Sequence, residues 1–227
     1  MRSLALNTGK AEALRTGVPG DSIAEKPFSF PVVTCGFWFL ALLAFCWMVN
    51  PAYSEPVIIL DPYFYRTAVA EPINGSTKTV LSYYDEKDGH VTALSPPLSQ
   101  PVSELRTLAI AHAQIVLQHL QPKILRDKHG VIVAIRLEDQ DPALSSILLI
   151  PGFSARFDSL LGKDCLAAVP NRQVIFLFPR LGGDLEEFSV PLRSFYHNSV
   201  WPVSTEIFDW RNGELCKSRD LEADRTP

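Results

Sequence analysis

The 227-residue sequence has no Cys-x-x-Cys pair, and its four cysteines are scattered at Cys35, Cys46, Cys165 and Cys216. That absence argues against a zinc ribbon and against thioredoxin-like exchange. No phosphate-loop spacing occurs, and no cofactor is expected. The five histidines offer no i, i+3 or i, i+4 pair. His112 and His119 stand seven apart, about 10 Å along a helix axis. One metal, whose His nitrogens lie roughly 2 Å away, does not bridge that distance. Charged residues make up only 20% of the chain, below the usual share of about 25%, which excludes a disordered acidic chain and a charge-rich coiled coil. Lys and Arg number 21 against 25 Asp and Glu. With no basic excess, nucleic acid is not expected as a partner. No internal repeat is evident. The length fits one domain with an appendage, and 18 prolines restrict long helices.

What is present begins with residues 31–49, which carry no charge and include Phe37, Trp38, Phe39, Leu40, Leu42, Leu43, Phe45, Trp47 and Met48. As a helix they span about 28 Å, close to the hydrocarbon thickness of a bilayer. Trp38 and Trp47 lie toward the two ends, where such rings favour the interface. Arg2, Lys10, Arg15 and Lys26 precede the span, and the next basic residue is Arg66. This asymmetry predicts an N-terminus inside and a C-terminal domain outside the cell membrane. Two readings fit the segment. It is an uncleaved signal anchor, or the apolar core of a signal peptide cut after Ala52-Tyr53-Ser54, which would leave a secreted or periplasmic domain. Phe45 before Cys46 does not match a lipoprotein box.

The expected organisation is a mobile tail over 1–27, a transmembrane or signal helix over 28–50, a linker over 51–77, an α+β domain over 78–217 and a polar tail over 218–227. Within the domain, 79–84 and 90–94 read as strands around the Asp88-Gly89 turn. A helix capped at Ser103 carries Leu105, Leu108, Ala109, Ala111, Ile115, Val116 and Leu120 as its apolar stripe. Residues 131–137 and 146–150 read as strands joined by the acidic turn 138–142. A short helix over 154–161 ends at Gly162. The runs 165–169 and 174–178 form a hairpin, and the continuously apolar VIFLF of the second predicts a central strand buried on both faces. A helix over 185–196 is interrupted near Pro191. Asn212-Gly213 turns a last hairpin over 207–216. Strands paired by short turns, with helices inserted, predict a mainly antiparallel sheet with helices on one face.

Leu105 to Leu117, the strand Ser145-Ser146-Ile147-Leu148-Leu149, AAVPNRQVIFLF from Ala167 to Phe178 and VSTEIFDWRNGEL from Val203 to Leu215 follow a familiar order. Over residues 80–217 the chain resembles a bacterial family of uncharacterised proteins, the domain-of-unknown-function group numbered fourteen forty-four. The resemblance implies a fold and no catalytic residue. Where that family has Asp after its Pro-x-Arg, this chain has Gln173.

The chemistry-bearing residues are sparse. Gly152-Phe153-Ser154-Ala155-Arg156 resembles a hydrolase elbow for three positions, but Arg156 fills the second glycine position, so Ser154 reads as a helix N-cap. Glu138, Asp139 and Asp141 lack calcium-loop spacing and read as a solvated turn. Cys165 and Cys216 are a candidate disulfide or two buried thiols. Arg172 and Arg180 flank the VIFLF strand, and with Asp209 and Trp210 they mark a candidate ligand groove. Together these features predict a membrane-attached binding or interaction module, with the bilayer and an envelope protein as partners. The alternative is an envelope hydrolase whose site is assembled from scattered residues.

Overall fold

The structure, a computed structural model, describes residues 54–181 and 185–222. The expected tail over 1–27 and the apolar span lie outside the described residues. The fold is α+β with antiparallel sheets, as the patterns of short strands and tight turns require.

Two sheets are present where one was expected. The first contains β1 (Glu55–Pro62), β2 (Ala70–Pro72), β3 (Thr79–Lys87) and β4 (His90–Ala93). Strand β3 is central: β1 pairs along one of its sides, and β2 and β4 also pair with it. The second sheet adds β5 (Lys123–Arg126), β6 (Ile132–Glu138), β7 (Leu166–Asn171), β8 (Val174–Phe178), β9 (Glu206–Arg211) and β10 (Glu214–Asp220). Their order is β10-β9-β7-β8-β6-β5. VIFLF is β8, interior to that sheet and buried along its whole length, as its apolar run predicts. The two expected hairpin turns form at Asp88-Gly89 and Asn212-Gly213, where all four residues have positive φ. Asn, Asp and Gly tolerate that conformation best.

The linker expected over 51–77 is a correction. Val57, Ile58, Ile59 and Leu60 form the buried middle of β1, and β2 follows. An apolar run of four, three of them β-branched, is too costly to leave in water and supplies a strand instead. The polar tail also starts later than expected, because β10 runs to Asp220 and Leu221 is buried.

The helices divide between the two sheets, which corrects the expectation of a single helical face. Helix α1 (Val102–His119) packs on β1, and its buried residues are Leu105, Ala109, Ala113, Val116 and Leu117. Ala109 and Ala113 are small enough to bring the helix close to the strand. Leu108 and Ile115, expected in the stripe, are exposed. Pro101, rather than Ser103, occupies the N-cap position. Helix α2 (Asp158–Leu161) ends at Gly162 with φ +77°, as expected. Helix α3 (Leu185–His197) continues through Pro191 and lies on β7. Its Leu185 and Leu192 join Leu166, Ala168, Phe176, Phe178 and Ile207 in a second core. Alternate residues of the same strands, Ala167, Val169, Ile175, Leu177 and Phe208, face the main core with β1 and α1.

The expected strand over 146–150 is a 3-10 helix, Pro142–Leu149. The hydroxyls of Ser145 and Ser146 decide this. Leu60 N–H donates to Ser145 Oγ at 2.9 Å, and Ile58 N–H donates to Ser146 Oγ at 3.3 Å. Ser146 also donates to the Ile58 carbonyl. The edge of β1 that lacks a neighbouring strand is thus satisfied by side chains. Each such buried bond is worth about 1 kcal/mol net, and leaving the strand group unpaired costs about 1–3 kcal/mol.

Among the described residues no single helix is long and apolar enough to cross a membrane. One bent pair, Pro142–Leu149 with Ser154–Leu161, passes on composition, but much of it is core, including Leu144, Ile147, Leu148 and Phe157.

Candidate functional site

The four residues expected to share a groove occupy two places. Arg180 follows β8 at one end of the second sheet. Its Nη2 donates to Asp209 Oδ2 at 2.9 Å, and its Nε donates to the Asp164 carbonyl. Asp209 is buried and also pairs with Arg211 at 3.2 Å. Trp210 Nε1 donates to the Leu148 carbonyl at 2.9 Å, and its ring packs on Phe153. These three side chains fasten β9 to its surroundings. Arg172 sits in the β7–β8 turn, at the opposite end of the hairpin from Arg180. The single expected groove is therefore corrected to one site around Arg172.

That site is built from residues far apart in sequence. Asp61, near the end of β1, is fully buried and accepts from Arg172 Nε at 3.1 Å and Nη2 at 2.7 Å. Tyr84 on β3 donates to the other Asp61 oxygen at 2.6 Å. The guanidinium lies 5.6 Å from the Tyr84 ring centroid and 5.1 Å from that of Trp201, within cation–π range. The Tyr84 hydroxyl is pushed up to about 12, first by burial and then by its bond to Asp61. It therefore stays protonated and keeps donating. Arg172 Nη1 makes no hydrogen bond to a described residue.

Trp201 is brought there by backbone pairing. Arg172 N–H donates to the Trp201 carbonyl, Val203 N–H to the Pro170 carbonyl, and Asn171 bridges to Pro202. On the other side, β1 ends in a 3-10 turn, Tyr63–Tyr65, that presents Tyr65. Tyr65 and Trp201 remain 58% and 53% exposed, and with Tyr84 and Arg172 they line a pocket of about 530 Å³. Such volumes lie in the range of small-ligand sites. A second pocket of about 520 Å³ shares Gln173 and Trp201 with the first.

Sequence reading missed Asp61, Tyr65, Tyr84 and Trp201. The apolar run before Asp61 was a legible strand signal, and a carboxylate directly after it was the clue to a buried pair. Trp201 carried no periodic signal.

The other candidates settle as structural. Ser154 opens a 3-10 helix whose N-cap is Phe153, and its hydroxyl caps nothing, which corrects the N-cap reading. Asp141 accepts from Ala143 N–H at 2.7 Å and caps the Pro142–Leu149 helix. Glu138 stays exposed, as expected of a solvated turn, and pairs there with Lys123 and Arg136. Cys165 and Cys216 are buried free thiols, and burial pushes Cys165 up to about 11. No group of three metal-ligating side chains occurs among the described residues.

His112 is clamped rather than free. Its Nε2 lies 3.8 Å from Asp141 Oδ2, and its Nδ1 contacts Glu55 Oε2. Asp141 first, then Glu55, raise it to about 9. A raised cationic group contributes fully below its unfolded pKa near 6.5, and its contribution is lost as pH rises through about 9. Because Glu55 is exposed, solvent screening limits this to about 1–2 kcal/mol. His112→Gln should therefore melt below the parent at pH 6, and the two melting curves should converge above about pH 9.

Compared with family models, curated proteins and solved structures, the chain matches none of them.

Proposed function

We propose that this chain is a membrane-attached protein whose folded domain acts outside the cytoplasm as a binding or interaction module. The observation that carries the binding role is the pocket of Tyr65, Tyr84, Arg172 and Trp201. A guanidinium is fixed by a buried carboxylate, two rings face it, and aromatic side chains stand exposed at the rim. Exposed Trp and Tyr gathered around an arginine are the residue types that dominate binding energy at recognition sites. A rigid floor lowers the ordering cost of a ligand.

The membrane part rests on the uncharged residues 31–49 and on the basic residues confined to their N-terminal side. The cleavage alternative is consistent with the same domain, because β1 begins at Glu55, directly after Ser54. The resemblance over residues 80–217 is part of this reading and adds no residue role. A hydrolase draws no support from Ser154, which has no base among its described partners.

Capture of the C-terminally tagged full chain from gently solubilised membranes tests this. Mass spectrometry should find the native N-terminus together with a co-purifying molecule that is lost in Trp201→Ala. A chain that begins at Glu55 and carries nothing with it would sink the anchored-module reading. A C-terminal reporter active only in the cytoplasm would overturn the orientation.

A further inference from the structure

From the two pockets that meet at Trp201, we infer that the ligand is a neutral oligosaccharide running across both. This deepens the binding reading above and rests on it. The pocket on the α3 side is lined by amides and hydroxyls, among them Asn171, Gln173, Ser194 and Asn198, with the Phe195 and Trp201 rings and no charged side chain. The pocket on the β1 side does contain charges, but they are spoken for. Arg172 is neutralised by Asp61, and Asp141 by His112. A phosphate or carboxylate ligand needs an uncompensated cation, and the one permanently cationic side chain lining the two pockets, Arg172, is already paired with Asp61, leaving His90 as the other basic group on the lining. An aliphatic ligand would strip water from the amides without replacing their hydrogen bonds.

What fits is a molecule with flat apolar faces for the rings and many groups that both donate and accept. Sugar rings have C–H faces that stack on aromatics and hydroxyls that do both. The cleft has open positions of each kind. Gln173 Nε2 donates to Gln140 Oε1, leaving Gln173 Oε1 open to accept and Gln140 Nε2 to donate. Asn198 Nδ2 donates to Ser194 Oγ, leaving Asn198 Oδ1 and the Ser194 hydroxyl proton. Arg172 also lines the cleft, and its Nη1 has no hydrogen-bond partner among the described residues. A proline-rich peptide also stacks on aromatics, but its prolines have no N–H. It would leave the amide oxygens unpaired.

The test is a glycan array probed with the labelled full chain in a detergent that carries no sugar, followed by calorimetry with chitotetraose, cellotetraose and maltotetraose. Neutral oligosaccharides should outrank sulfated and carboxylated ones. Trp201→Ala should weaken the best of them about tenfold or more while leaving the circular dichroism spectrum unchanged. Asn198→Ala, at the far pocket, should weaken the tetrasaccharide and leave the disaccharide of the same linkage unaffected. An array without neutral-glycan signal overturns the ligand class. If a proline-rich peptide then binds and Trp201→Ala abolishes it, the binding module stands and only the ligand class falls. If neither binds and membrane capture recovers nothing, both fall.

Discussion

Arg172→Ala should destabilise the domain by about 3–5 kcal/mol, the cost of leaving a buried charge without its partner. Asp61 is fully buried, whereas the Arg172 side chain is only 18% exposed. Without the guanidinium, the Tyr84 hydroxyl is the one remaining side-chain donor to Asp61 among the described residues. For a domain of this size each kcal/mol moves the melting temperature by about 2–4 °C, so calorimetry should show a fall of about 6–20 °C. Asp61→Leu combined with Arg172→Met should recover much of that loss, since burying two apolar groups removes both desolvation costs. Both variants should lose ligand, because each lacks the donor at the pocket floor. A single mutant that melts within about 2 °C of the parent would show that water reaches Asp61.

Glu206→Ala comes next, and its effect should fall on the join between the two sheets. Glu206 is fully buried on β9. Its Oε2 accepts from Ser76 at 2.6 Å and from Thr79 on β3 at 2.7 Å. Its Oε1 lies 3.1 Å from Lys217 Nζ on β10, an ion pair. One carboxylate thus ties the first sheet to the second, beside the bridge between Asn74 and Cys216. Removing it leaves two hydroxyls and a half-buried ammonium without an acceptor, at a cost of about 3 kcal/mol. Glu206→Gln keeps the shape and one acceptor oxygen, so it should lose about half as much. Urea unfolding with separate probes on each sheet should show the midpoint lowered on both in Glu206→Ala, because the two sheets share the main core. Unshifted transitions in Glu206→Ala would falsify the assignment of this residue as the tie.

Local patterns carried much of the strand and helix content. Two Asx-Gly turns, the VIFLF strand and the helix over Val102–His119 follow from turn chemistry and apolar spacing within a dozen residues. The sequence also contained the signal for β1, since four consecutive apolar residues demand burial, yet a strand at position 57 makes sense only beside a partner near position 84. The run at 144–149 shows the opposite case. Its apolar content suits a strand or a buried helix equally, and the choice fell to the 3-10 form because Ser145 and Ser146 could reach the open edge of β1. The candidate site was the least legible. Arg172 stood out by its place beside a central strand, but Asp61, Tyr84 and Trp201 lie 111, 88 and 29 residues from it. The residues by themselves determined most of the elements, the turns and the alternation that loads both faces of the second sheet. Only the tertiary structure decided which charge meets which, because a hydrogen bond between distant residues leaves no trace in either residue's local periodicity.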